Sequence, residues 1–111
     1  MPTASGLAVV FAGTPAFALP SLEAIAASRH RVVAVFTQPE RPSGRGRVLA
    51  AGPVKTRALE LGLAVHQPAT LKDAAAEAVI AALAPDVMIV VAYGLLLPPA
   101  VLGLPRLGCL N

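Results

Sequence analysis

Five of the nine lysines and arginines fall in one stretch, residues 35–57, as Arg41, Arg45, Arg47, Lys55 and Arg57. Three of these arginines lie within seven residues, among Pro39, Pro42, Gly44 and Gly46. The segment is too rich in proline and glycine to be expected as helix or strand. It reads as an exposed loop presented by a rigid scaffold, which is where binding residues concentrate. Guanidinium groups at this density select an anion, and a phosphate-bearing partner suits them better than an acidic protein surface. The plain alternative is a solvated loop whose arginines only keep an apolar chain in solution.

Other reactive side chains are sparse. His30 sits between Arg29 and Arg31, and His66 ends a short strand; no cysteine or carboxylate stands at ligand spacing to either, so no metal site is expected. Glu23, Glu40, Glu60, Asp73, Glu77 and Asp86 are scattered, with no pair set for acid and base work. Cys109 is the only cysteine, which excludes an intrachain disulfide. It has no basic partner to make it a thiolate and reads as a small buried residue. Gly13-Thr14-Pro15 lacks the glycine spacing of a dinucleotide loop, and no Gly-Lys-Ser/Thr loop is present. Its N–H groups can still face an anion at a helix start. Asn111 is left as the one polar side chain at the carboxyl end of its strand.

These residues need a scaffold, and 111 residues supply one domain. With 56% hydrophobic and 14% charged residues the chain is not disordered. The short apolar run 7–12 ends at Gly13-Thr14-Pro15 and predicts a strand buried on both faces. Residues 16–28 carry Leu19, Leu22 and Ile25 at helical spacing, with Pro20 tolerable near the first turn. Strand 32–37 follows. Beyond the basic loop, Pro53 opens a helix that Gly62 ends, and 63–66 form a third strand. Thr70 or Asp73 caps the helix 74–83, which Pro85 stops. Residues 86–92 are the most apolar strand and are expected at the centre of the sheet, with Asp86 at its amino end. Residues 98–102 make one helical turn, and 106–111 begin another strand.

Strands alternating with helices predict an α/β fold, a doubly wound, Rossmann-like parallel sheet with helices on both faces. Ligands of such sheets bind beyond the carboxyl ends of the strands, here 13–16, 37–46, 92–97 and Asn111, which would face one crevice. No basic residue precedes the first apolar run, and the run 87–92 is far shorter than the roughly 20 residues of a spanning helix. The expectation is a cytoplasmic monomer with no membrane partner.

Several of these residues together resemble a known family. Val10-Phe11-Ala12-Gly13-Thr14-Pro15, Phe36-Thr37-Gln38-Pro39 with Arg41-Pro42 and Gly44-Arg45-Gly46-Arg47, and Pro53-Val54-Lys55 are similar to the amino-terminal part of methionyl-tRNA formyltransferases. So are Gln67-Pro68, Val90-Val91-Ala92-Tyr93-Gly94 with Leu97-Pro98, and Pro105-Arg106-Leu107-Gly108-Cys109. The likeness runs in register from Leu7 onward. It implies transfer of a formyl group from 10-formyltetrahydrofolate to the amino group of initiator methionyl-tRNA, without a metal. In the family an Asn and a His stabilise the oxyanion of the tetrahedral intermediate, and an Asp positions the His. Asn111 matches that Asn. Arg45, flanked by Arg41 and Arg47, matches the arginine that reaches the tRNA acceptor end. Tyr93, Gly94, Leu95 and Leu97 match the folate-binding loop.

The sequence departs from the family pattern by ending at Asn111, ahead of the His, the Asp and the carboxy-terminal tRNA-binding barrel. The expectation is therefore an incomplete sheet: residues 1–111 as the folate-binding, amino-terminal part of a formyltransferase domain, inactive alone. Ala16 in place of an acidic residue, Ala50-Ala51-Gly52 ahead of Pro53 and Leu110 in place of Ile are smaller departures. Two alternatives stay open: a related formyltransferase acting on a small amine, and a non-catalytic piece that binds folate or RNA.

Overall fold

Every residue of Ala8–Gly13 is buried, as a strand must be when it is paired on both edges and covered on both faces. The computed structural model describes residues 6–40, 42–43 and 48–111 and places this strand, β1, in the middle of a five-stranded sheet. β2 (Arg31–Phe36) and then β5 (Val65–His66) lie on one side of it; β6 (Val87–Val91) and then β7 (Cys109–Leu110) lie on the other. All four pairings are parallel. The doubly wound α/β fold is thus present, but its centre is β1 and not 86–92. Hydropathy reports how far a strand is covered, not which strands flank it. In β6 both Ile89 and Val91 keep some exposure, whereas β1 has none.

The helices divide between the faces as the strand alternation dictates. A 3-10 turn, Ala16–Ala18, leads into α1 (Leu19–Ala26), with Pro20 in its first turn; the expected single helix 16–28 is split and ends two residues early. α1 and α2 (Pro53–Glu60) cover the face carrying Phe11 and Val35, while α3 (Ala74–Leu83) and α4 (Pro99–Leu102) cover the face carrying Val10, Ala12 and Phe36. Of the two expected caps of α3, Asp73 is the one used: its Oδ1 accepts from the Ala76 N–H at 2.9 Å. Thr70 instead closes the preceding turn, accepting from the Lys72 N–H.

β5 and β7 are shorter than the expected strands 63–66 and 106–111, each reduced to two residues. In the basic stretch, β3 (Pro42–Ser43) pairs antiparallel with β4 (Val48–Leu49). The expectation that no strand forms there is corrected: two-residue pairing at an isolated edge tolerates a proline that a central strand would not. Arg41, Arg45 and Arg47 lie outside the described residues.

Two polar side chains lock the amino end of the sheet. The Leu7 N–H donates to His30 Nδ1 at 2.9 Å, so this histidine holds a strand start. Asp86 accepts from the Ala8 N–H at 2.8 Å and from Arg106 Nε at 3.0 Å. These donors hold its carboxyl below the usual range, and it stands away from the carboxyl ends. No helix among the described residues is long and apolar enough to cross a membrane.

Candidate functional site

After β1 the chain moves outward to β2 and β5, then returns to the other side of β1 as β6. Connections leave in opposite directions at this point, which opens a crevice beyond the carboxyl ends of β1 and β6. Three short polar contacts span it. Thr14 Oγ1 donates to the Tyr93 carbonyl at 2.9 Å, and the same carbonyl accepts from Gln38 Nε2 at 2.9 Å. The Gln38 N–H donates in turn to Thr14 Oγ1 at 3.3 Å. One hydroxyl and one amide thereby tie the ends of β1, β2 and β6 together.

The backbone after β6 is bent to permit this. Ala92 has φ 51° and Gly94 φ 91°, so two left-handed residues flank Tyr93. The first is a costly conformation for alanine, and such strain concentrates at functional loops. A Cβ on Gly94 would overlap the end of the Gln38 side chain and push its amide off the Tyr93 carbonyl, and the φ of 91° itself favours glycine.

The four residues expected at a folate loop separate into two kinds. Gly94 and Leu95 line an open pocket of about 240 Å³, together with Thr70, Lys72 and Leu96. Leu97 packs against the core, and the Tyr93 side chain is buried within it. The Tyr93 hydroxyl finds no hydrogen-bond partner among the described residues. Burial alone pushes its pKa up from 10.0 to about 12. Because the folded value exceeds the unfolded one, this neutral phenol adds stability that is fully present below pH 10 and is lost as pH rises towards 12. Tyr93 is the only tyrosine and there is no tryptophan. Ultraviolet absorbance should therefore show one phenol ionising near 12, and a midpoint near 10 would mean that the ring is hydrated.

Asn111 is exposed and directly follows β7, whose Leu110 pairs with Ile89 of β6. A second recess, of about 220 Å³, is lined by Thr14, Thr37, Gln38, Pro39, Glu40, Ala50 and Gly52. It lies between the crevice and the root of the basic stretch. At that root, Glu40 accepts from Lys55 Nζ through Oε2 and from Gln67 Nε2 at 2.9 Å through Oε1. The Lys55 ammonium first, then the Gln67 amide, hold its carboxyl below the usual range.

Lys55 and Arg57 are thus not free cations. Arg57 donates to Glu23 at 3.1 Å and to Glu60 at 3.2 Å, which raises its already high pKa. The other cations of the stretch, Arg41, Arg45 and Arg47, lie outside the described residues. Thr14, Gln38, Glu40 and Gln67 were not singled out as site residues from sequence. The available signal was their position, since each polar side chain lies within four residues of the carboxyl end of a sheet strand.

Cys109 is half-buried, and desolvation pushes its thiol up, away from the reactive thiolate. His66 stacks on Phe36 with ring centres 5.0 Å apart. Among the described residues no group of three or more histidine, cysteine, aspartate or glutamate side chains stands close enough to hold a metal ion.

Methionyl-tRNA formyltransferase of Chromohalobacter salexigens is 64% identical over 105 residues, which is 95% of this chain and 32% of that protein. The enzymes of the same name from Thiobacillus denitrificans and Ectopseudomonas mendocina are 61% and 59% identical over 93% and 95% of this chain, and 33% of each relative is matched. The chain spans about a third of the length of the curated relatives it matches. The model of the formyl transferase family matches residues 6–111, nearly the whole length, and the chain therefore belongs to the formyl transferase family.

Proposed function

We propose that this chain carries the formyl-donor and acceptor-end surfaces of a methionyl-tRNA formyltransferase, which moves a formyl group from 10-formyltetrahydrofolate to the amine of initiator methionyl-tRNA. The observation that carries this reading is the match to enzymes of that name, at up to 64% identity over 95% of the chain. The crevice at the carboxyl ends supports it. The pocket at Gly94 and Leu95 suits a flat heterocycle: apolar walls from Leu95 and Leu96, the exposed backbone of Gly94, and Lys72 for an anionic group.

In this reading the methionyl amine attacks the formyl carbon; the new C–N bond forms as the carbon's bond to the folate nitrogen breaks, and the proton the amine gives up balances the one the departing tetrahydrofolate nitrogen takes. The charge that develops falls on the formyl oxygen. The exposed Asn111 carboxamide, beyond β7, has an N–H to donate there. The Thr14–Gln38–Tyr93 contacts keep the loop after β6 fixed relative to β1, so the donor surface does not shift as the acceptor arrives. Arg41, Arg45 and Arg47 supply the cationic contact with the acceptor-end phosphates.

Deletion of residues 41–47 tests the RNA part of the proposal. Binding of initiator methionyl-tRNA by the chain should weaken at least about tenfold. The slope of log K against log salt should fall by about 2, as three lost single-strand phosphate contacts imply. An unchanged affinity and slope would instead favour a formyltransferase with a small amine substrate.

A further inference from the structure

We infer that Glu40 is a positioning residue for RNA binding: through Lys55 and Gln67 it fastens both ends of the basic stretch to the sheet. The inference rests on the RNA reading above. Glu40 stands where the chain leaves β2 for that stretch, and Lys55 lies in the first turn of α2, where the chain returns. Gln67 follows β5, the outer neighbour of β2. One carboxylate therefore joins three separate elements, with each oxygen committed to a different donor. Gln67 Nε2 also donates to the Gln38 carbonyl at 3.2 Å, which links the knot to the residue that bridges Thr14 and Tyr93.

Two features separate this arrangement from an incidental surface pair. The Glu40 and Lys55 side chains keep only 23% and 24% of their exposure, so water competes less than at a fully solvated pair. The carboxylate also sits at the root of a cationic segment. Its simple electrostatic effect on a polyanion would be repulsive, and removing it would then tighten RNA binding. A positioning role has the opposite sign. Without Glu40 the direct ties from the start of the stretch to Lys55 and Gln67 are lost, and ordering that start becomes part of the cost of binding.

The test uses the 111-residue chain and initiator methionyl-tRNA at fixed salt. Glu40→Gln and Glu40→Ala should each weaken binding about tenfold although each adds one unit of positive charge. The exchanged pair, Glu40→Lys with Lys55→Glu, should recover part of the affinity that Glu40→Ala loses, since the ion pair is rebuilt in reverse while Gln67 Nε2 loses its acceptor at position 40. Amide hydrogen exchange at 38–40 and 53–57 should accelerate in the single variants and not in the exchanged pair. Tighter or unchanged binding by the single variants, unchanged exchange, or failure of the exchanged pair to recover would overturn the inference. If the unaltered chain does not bind the RNA, the functional reading fails and takes this role with it. If the unaltered chain binds and Glu40→Gln binds equally well, only the positioning role fails.

Discussion

Replacing Phe11 with alanine should lower stability by about 3–5 kcal/mol, measured as a fall in the urea midpoint at unchanged slope. Phe11 is fully buried in β1, the one strand paired on both edges by long neighbours, and its ring lies among Ala18, Leu22, Val35, Val54 and Ala58. Those partners come from the 3-10 turn, α1, β2 and α2, so the ring joins four elements. Truncation leaves a cavity that cannot collapse easily, because β1 cannot move without breaking both ladders. A domain of this size has about 5–15 kcal/mol in total, so the loss is a large share of it. Phe11→Leu, which refills most of the volume, should cost less than about 1.5 kcal/mol. Equal losses for the two variants would show that the ring is not packed as described.

Gly13→Ala should be nearly as damaging, for the opposite reason. A Cβ at Gly13 would stand 2.8 Å from Ala18 Cβ, 2.8 Å from the Val91 carbonyl oxygen and 2.9 Å from Phe11 Cε2. The carbonyl belongs to the β6 backbone and cannot rotate aside, so the end of β1 must shift. Overpacking of this kind costs about 1–3 kcal/mol. The shift would also carry Thr14 away from the Tyr93 carbonyl and the Gln38 N–H. Under the proposed function, affinity for a folate-class donor should therefore fall about tenfold even where the variant remains folded, read by fluorescence or calorimetry at a temperature below unfolding. Gly13→Ala combined with Ala18→Gly removes one of the three contacts and should recover part of the stability. Wild-type stability in Gly13→Ala would refute the close approach.

Much of this architecture is legible in the residues. The apolar run 7–12, short and bounded by glycine and proline, suits a strand covered on both faces, and β1 is that strand. Pro53, Asp73 and Pro85 mark helix ends by local chemistry that needs no tertiary partner. The clustering of arginine in 41–47 is likewise a property of the chain, as is the family likeness that residues 6–111 sustain.

Local pattern could not reveal how the strands are ordered, because two equally buried strands look alike until their neighbours are known. β1 displaces β6 from the centre only because α1 and α2 pack on one face and α3 on the other. Strict alternation from Val32 would likewise misassign a face. The register slips between Val9 and Val10, which pair with Val32 and Ala34, so Val33 and Ala34 both turn towards the α3 side. The same limit applies to Glu40, a solitary carboxylate in sequence that meets Lys55 and Gln67 only once β5 is laid beside β2. Sequence alone determined the segments of the five-stranded sheet and its helices to within a few residues, since those follow from short-range sterics and hydropathy, but not the short β3–β4 pair in the basic stretch. The tertiary structure decided which of their ends meet, because contacts such as Thr14 with Tyr93 join residues far apart in the chain, and only the packed sheet brings them within hydrogen-bond reach.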